Sequence, residues 1–239
     1  MSSIVVPPRK PIVHYPDSDG LPMSDNTLQF TWISILKWGL EAYYLNDPNV
    51  FVAGDHLIYP VEGDPKIRMA PDVYVAFGRR KYDRGSYKVW EEGDIFPQVV
   101  FEVWSPNNRF EQMRDKLAFY EKFGAEEYYI VYPEFPAHVE GWKRDGGKFI
   151  VIPEINGWIS PRICIRFSLI EGDLKVYGPD GREMRSPVEI AADRDEEHRR
   201  AELEKQRAEN EETRAKTAEQ RAAQLAARLR ELGVDPDTV

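Results

Sequence analysis

Glu102 is the first residue whose type does not suit its surroundings, and such positions are where chemistry is worth seeking. It lies within VVFEVW, a nearly continuous apolar run that predicts a strand buried on both faces. A buried carboxylate is costly unless it is paired, hydrogen-bonded, protonated or bound to a metal. The alternative is a structural glutamate at the end of the strand, satisfied by a neighbouring arginine or lysine.

Asp72 and Lys116 are two further candidates. Asp72 opens the apolar run DVYV directly after Pro71, although an ordinary turn aspartate would also fit this position. Lys116 lies on a predicted helix, and at about 100° per residue it falls inside the apolar arc that contains Met113 and Tyr120. A lysine on a packed face must extend to solvent or meet an anion. This helix follows the strand of Glu102 directly, so its apolar face is expected to pack on that sheet.

Together these residues predict a metal-dependent site for phosphoryl chemistry. Two adjacent carboxylates, Asp72 and Glu102, are ligands of the kind that Mg²⁺ or Mn²⁺ prefers. A bound metal can activate water and stabilise a phosphoryl transition state, and the Lys116 ammonium can stabilise charge or orient the nucleophile. The four histidines are scattered, and neither a zinc-ligand spacing, a P-loop nor a G-x-S-x-G elbow is present.

The elements that must position these residues form a mixed α/β pattern. A helix capped by Ser24 or Asp25 is predicted to reach about Asn46, and the second helix covers about 108–123, with Gly124 as its stop. Strands are predicted at 50–59, 73–77, 99–104 and 127–132. Short β segments with glycine turns come next, at 139–143, 148–152, 163–167 and 174–177. The fold class is therefore α/β: helix, three strands, helix and strand, with a β-hairpin extension and a long C-terminal helix.

The predicted domains are an irregular N-terminal arm (1–24), an α/β domain (25–190), a charged helical tail (191–232) and a C-terminal end (233–239). The stretch 193–232 lacks proline, glycine and aromatic residues and is rich in alanine, which predicts one long helix. Its thin apolar seam runs from Ala201 to Leu232. It fits a self-associating coiled coil and a solvated single helix held by charge pairs equally well.

Charge and composition exclude several classes of protein. The net charge of −9 excludes a uniformly basic nucleic-acid coat. The tail contributes only −1 of it, so the body carries −8. No apolar run approaches the ~20 residues of a membrane span, and neither a signal peptide nor a disulfide pair is evident. Because Cys164 is the single cysteine, a cytoplasmic protein is expected.

One basic segment lies within this acidic body. The loop 79–88 combines five basic residues with Tyr82 and Tyr87, and Trp90 lies just beyond it. It is either a phosphate-contacting loop with stacking aromatics or a solvated surface loop.

Three stretches carry a family resemblance: MAPDVYV, PQVVFEVWSP and EQMRDKLAFYEKFGAEEYY. They resemble the Uma2 family of putative restriction endonucleases, within the PD-(D/E)XK nuclease superfamily, and the likeness covers nearly the whole chain. The resemblance implies a restriction-endonuclease-like core, with Asp72 and Glu102 as the two motif acids. The superfamily's E-x-K lysine is absent, since Trp104 stands there. The family's lysine looks displaced onto the following helix, which here means Lys116, and Glu41 on the first helix is an additional candidate acid.

The sequence therefore predicts a DNA endonuclease that depends on Mg²⁺ or Mn²⁺, with Asp72, Glu102, Lys116 and Glu41 as site residues. A homodimer, joined through the helical tail, is the expected assembly, and no membrane partner is expected. The alternative is a weakened nuclease fold that serves as a binding or assembly module. A hydrolase of small phosphorylated substrates is a third hypothesis and would need a closed pocket.

Overall fold

The computed structural model describes residues 13–18, 20, 24–231 and 233. Most of the predicted N-terminal arm and of the predicted C-terminal end lies outside these residues. In the described part of the chain, no helix is long and apolar enough to cross a lipid bilayer. The described residues fall into two compact units, one ending at Pro187 and the other beginning at Val188.

The first unit contains two helices and ten strands. The helices are α1 (Thr27–Tyr43) and α2 (Phe110–Phe123), and a 3₁₀ turn covers Val89–Glu92. The strands are β1 (Val50–Ala53), β2 (Ile58–Tyr59), β3 (Val73–Phe77), β4 (Tyr87–Lys88), β5 (Val99–Val103), β6 (Glu127–Tyr132), β7 (His138–Asp145), β8 (Lys148–Val151), β9 (Arg166–Ile170) and β10 (Asp173–Tyr177). The second unit consists of the helix α3 (Pro187–Glu231), from Val188 onward, and Gly233.

The central sheet has six strands in the order β1-β3-β5-β6-β7-β8. Only the β5–β6 pair is parallel, and α2 supplies its crossover, while the other neighbours are antiparallel. Strands β9 and β10 form a separate hairpin, and β2 and β4 pair over two residues. This element order confirms the predicted mixed α/β class with a β extension and a long C-terminal helix.

Both faces of the sheet are covered, which explains its nearly continuous apolar strands. Along β3, Val73 and Val75 belong to the core cluster that includes buried residues of α1, whereas Tyr74 and Ala76 belong to the cluster that includes α2. The same alternation in β5 assigns Val100 to the α2 side. Glu102 is two residues further along the strand, so it faces α2 as well.

The predicted bounds are right for β3 and β6 and need correction elsewhere. The strand predicted over 50–59 is broken because Asp55 adopts a left-handed conformation (φ 47°). The cap of α1 is Asn26 rather than Ser24 or Asp25, since Asn26 Oδ1 accepts the Gln29 backbone N–H at 2.8 Å. The segment predicted over 163–167 is displaced to β9 because Cys164 lies in a turn at φ 57°.

Candidate active site

Asp72 stands beside the strand that carries Glu102. The β3–β5 register pairs Val73 with Phe101, so the next positions along the two antiparallel strands are 72 and 102. Asp72 Oδ2 accepts the backbone N–H of Val103 at 2.6 Å. The two acids that the sequence singled out are therefore brought together at one end of this strand pair.

Glu102 is fully buried, and α2 satisfies both of its carboxylate oxygens. Lys116 Nζ lies 2.6 Å from Glu102 Oε2, and the Tyr120 hydroxyl donates to Oε1 at 2.7 Å. Lys116 and Tyr120 are four residues apart, so they lie on one face of the helix. The lysine retains 21% side-chain exposure while Glu102 has none, which makes Lys116 the member of this pair that reaches the pocket described below.

Burial and a neighbouring carboxylate shift the pKa values of Asp72 and Tyr120. Desolvation, followed by the neighbouring Glu102 carboxylate, raises the pKa of Asp72 to about 8, against the opposing effects of Lys116 and the Val103 N–H. Burial, together with the Glu102 charge, raises the pKa of Tyr120 well above its ordinary value, so its hydroxyl is a permanent donor at neutral pH. The charged form of Asp72 is therefore disfavoured at neutral pH, and a nearby cation would favour it.

A pocket of about 490 Å³ opens over these residues. Asp25, Asp55, Asp72 and Asp115 line it, and Lys116 is the one basic side chain among the described residues of its wall. Amides from α1 and α2 and their approaches, including Gln29 and Gln112, complete its polar surface, and Met69 and Met113 add apolar patches. This mixture of acids and amides suits a site that engages a cation and a polar ligand together.

Gln29 is a site residue that the sequence reasoning missed. Its buried side chain donates from Nε2 to the Val103 carbonyl at 2.9 Å and accepts the Asp25 backbone N–H at 2.8 Å. Val103 is thereby held from both sides, by Asp72 at its N–H and by Gln29 at its carbonyl. The Ser105 hydroxyl donates to the Asp25 carboxylate, which ties the start of α1 to the end of β5.

Glu41 does not join this cluster. Its carboxylate pairs with Lys37 at 3.5 Å and with Lys81 at 3.3 Å, and it is absent from the described wall of the pocket. Gln29, which does reach the site, is twelve residues earlier on the same helix, or about 18 Å along its axis. Among the other acids that line the pocket, Asp55 contributes to the raised pKa of Asp72.

The basic loop 79–88 is largely occupied by contacts within the protein. Arg79 donates to the Glu92 carbonyl, Lys81 pairs with Glu41, and Lys88 pairs with Glu91. Arg84 is buried between the rings of Phe51 and Tyr82 and pairs with Glu92 at 3.3 Å, so it is neither solvated nor exposed for contact with a phosphate.

Comparison with known proteins places the chain in a family. The sequence model of the Uma2 family, described as "Putative restriction endonuclease", matches residues 26–153, a span that contains Asp72, Glu102 and Lys116. A search of the curated proteins gives no match. Among solved structures, a putative nuclease belonging to DUF820 from Anabaena variabilis is similar at 12% identity and a TM-score of 0.43, over 57% of this chain and 73% of that one. On the family match, which covers more than half of its length, the chain belongs to the Uma2 family of putative restriction endonucleases.

Proposed function

We propose that this nuclease-family chain is a DNA endonuclease that depends on Mg²⁺ or Mn²⁺. The observation that carries the proposal is the cluster of Asp72, Glu102 and Lys116: Asp72 and Lys116 line one open pocket, and Glu102 is buried against Lys116. Membership of a family of putative restriction endonucleases supports hydrolysis of a nucleic-acid backbone.

The donor set fits a divalent cation. Asp72 and Glu102 are hard carboxylate ligands, and burial followed by the Glu102 charge raises the pKa of Asp72. In the described part of the chain no group of three or more His, Cys, Asp or Glu side chains is arranged to hold a metal. Mg²⁺ is nevertheless commonly held by one or two carboxylates, with waters and substrate phosphates completing its shell. Such an ion, when bound, would supply Lewis acidity at a phosphate oxygen and lower the pKa of a bound water.

The remaining groups have roles that their contacts indicate. Lys116 fixes one oxygen of Glu102 and keeps its charge at the pocket, where it would stabilise negative charge that develops on a phosphate. Tyr120 fixes the other oxygen, so the Glu102 carboxylate cannot rotate. Gln29 and Asp72 hold the backbone of Val103 and so fix the end of the strand.

DNA would reach this acidic body through local contacts, because its net charge of −8 gives no long-range attraction. We further propose that two copies associate through α3. Two copies joined in this way carry two sites in one assembly, which suits cleavage of both strands of a duplex.

A second candidate function is a binding or assembly module built on the nuclease fold. One observation favours it: Glu102 is already neutralised within the protein by Lys116 and Tyr120, which leaves a cation to compete for it. The missing lysine at position 104 points the same way.

A cleavage assay decides between the two functions. The parent protein, Glu102→Gln and Asp72→Asn are incubated with supercoiled and linear DNA in a series of Mg²⁺, Mn²⁺ and EDTA. We expect metal-dependent cleavage by the parent and a loss of more than about 100-fold in either variant. Glu41→Gln serves as the matched carboxylate control and is expected to retain activity, since Glu41 pairs with Lys37 and Lys81 instead. A correctly folded parent that cuts neither DNA with either metal supports the assembly module.

A further inference from the structure

The tail helix α3 contains an internal repeat of seven residues. Each repeat starts with arginine followed by alanine, or by leucine in the last one. The five starts are Arg200-Ala201, Arg207-Ala208, Arg214-Ala215, Arg221-Ala222 and Arg228-Leu229. All of them lie within the continuous helix Pro187–Glu231. Arginine therefore recurs at a spacing of seven across four intervals, and the arginine-alanine pair across the first three.

A strict period of seven is not the natural period of a straight helix. At 3.6 residues per turn, positions seven apart drift by about 20° per repeat, so on a solitary helix the positions from Ala201 to Leu229 would spiral around it by about 80°. A helix that is solvated on all sides gains nothing from keeping this period. A helix that supercoils with a partner does, because supercoiling keeps every seventh residue in the seam. The repeat favours the coiled coil over the solitary helix.

The seam of this repeat is exposed within a single chain. With the repeated Ala201, Ala208, Ala215, Ala222 and Leu229 as position a, position d holds Glu204, Glu211, Ala218 and Leu225. No residue of α3 is buried among those that the structure describes, and Leu225 is 66% exposed. The seam is wholly apolar from Ala215 to Leu229, so a partner helix would bury its surface there.

We propose that α3 forms a parallel, in-register, two-stranded coiled coil with a second copy of this chain. This deepens the homodimer proposed above by fixing its orientation. The repeated arginines occupy position g, which flanks the seam. In an antiparallel pair, position g faces position g of the other helix, so arginine would oppose arginine along the whole seam. In a parallel pair, position g faces position e of the next repeat.

That parallel arrangement gives two attractive contacts across the seam. Arg207 would lie opposite Glu212 of the partner subunit, and Arg214 opposite Glu219 of the partner subunit. Within the described residues, Arg207, Arg214 and Arg221 form no ion pair, whereas Arg199, Arg200 and Arg228 each do. The central arginines thus have their charges available for a partner.

The same register predicts where the coil is loose. Arg200 would meet Lys205 of the partner subunit, and the d-position acids Glu204 and Glu211 would face their own copies. Like charges at these places weaken the N-terminal half of the seam. Contact is therefore strongest from Ala215 onward, where the core is apolar.

Disulfide crosslinking of the full chain tests the orientation. In a Cys164→Ser background, which removes the exposed native thiol, single cysteines are placed by Ala208→Cys, Ala222→Cys and Gln220→Cys. A parallel in-register pair should crosslink 208 to 208 and 222 to 222 at least about tenfold faster than the mixed pair 208 to 222. Gln220 is at the outward position f, so its variant sets the background rate of collision.

The crosslinking rates test the orientation of the pair and the existence of the homodimer separately. Faster crosslinking of the mixed pair would overturn the parallel orientation while leaving the homodimer standing. Background rates at both seam positions would overturn the homodimer as well, and neither result depends on nuclease activity. Charge reversal is a second test: Arg214→Glu should slow the 222-to-222 crosslink, and adding Glu219→Arg should restore it. No restoration would contradict the predicted pairing.

Discussion

At the scale of single residues, the candidate site is built by donors aimed at one buried carboxylate. Glu102 has no exposed surface, and both oxygens receive a donor from the same face of α2. A buried carboxylate that kept only one of these partners would retain most of its desolvation cost without compensation. Lys116 and Tyr120 therefore act together to satisfy the two oxygens of the Glu102 carboxylate.

Tyr120→Phe removes the donor to Glu102 Oε1 and leaves an aromatic ring of nearly the same size. Because a hydrogen bond to a buried charge is lost, we expect the free energy of unfolding to fall by about 2 kcal/mol. Cleavage should slow by about tenfold, with a smaller change in metal affinity than in Glu102→Gln. Urea unfolding and the cleavage rate measure the two effects.

The matched control is Tyr128→Phe in the same aromatic cluster. The Tyr128 hydroxyl is buried without a hydrogen-bond partner among the described residues, so its removal should change stability by less than about 0.5 kcal/mol. Equal losses of stability in the two variants would show that the Glu102 contact is not what matters.

His56 gives a pH-dependent prediction outside the site. In the neutral ring, Nε2–H donates to the Arg84 carbonyl at 3.0 Å, which leaves Nδ1 to accept from the Tyr74 hydroxyl at 2.6 Å. Burial, reinforced by the Arg84 charge, lowers the pKa of His56 below 6.5 in the folded state. The unfolded chain then binds the proton more readily, so the stability contributed above pH 6.5 is lost as the pH falls.

Urea unfolding between pH 7.5 and 5 measures this effect. His56 should contribute a loss of at most about 1.4 kcal/mol per pH unit below pH 6.5. His56→Gln should show a shallower decline over the same range. Parallel curves for the parent and the variant would contradict the assignment.

At the scale of elements, the two helices have different tasks. α2 supplies the crossover of the β5–β6 pair and carries both donors to Glu102. α1 carries Gln29 to the carbonyl of Val103 at its first turn. The end of β5 is thus fixed from both faces of the sheet. Small displacements of either helix should therefore disturb the geometry of the site.

Sequence patterns predicted some residues of the candidate site and missed those whose roles depend on contacts between distant parts of the chain. Asp72 and Glu102 could be predicted because each is a charged residue in or beside an apolar strand. Lys116 could be predicted because the helical period places it on the apolar face that packs on the sheet. Gln29 and Tyr120 gave no such signal, since a glutamine near a helix cap and a tyrosine in an apolar arc are ordinary. Their roles come from contacts 74 and 18 residues away, which local patterns do not encode.

Gly124 ends α2 in a backbone conformation that favours glycine. It adopts φ 104° and ψ 17°, a left-handed conformation, with nothing within 4 Å of an added Cβ. Gly124→Ala should therefore cost about 1 kcal/mol through backbone strain alone, and Gly124→Asn should cost less because asparagine tolerates this region better. Thermal unfolding ranks the three proteins, and an alanine variant as stable as the parent would contradict the strain argument.

At the scale of the whole molecule, the net charge of −9 is divided unequally between the body and the tail. The body holds −8, and four of its aspartates surround the pocket, where a cation would offset them. The tail is nearly neutral because acids and bases are almost equal in number along its exposed helix. Net charge therefore describes neither unit well, because one contains an acidic pocket and the other is the charge-patterned helix proposed for association.

Deletion of residues 192–239 should separate these two roles. The sheet and both core clusters lie within residues 24–187, and the described part of α3 contributes no buried residue. We expect the shortened protein to keep its urea midpoint, with a change in stability of less than about 0.5 kcal/mol. It should be monomeric by analytical ultracentrifugation, nick supercoiled DNA at the parent's rate per site, and convert nicked circles to linear DNA more slowly. If the shortened protein is still a dimer, the association surface lies in the first unit instead. If it unfolds, α3 stabilises that unit.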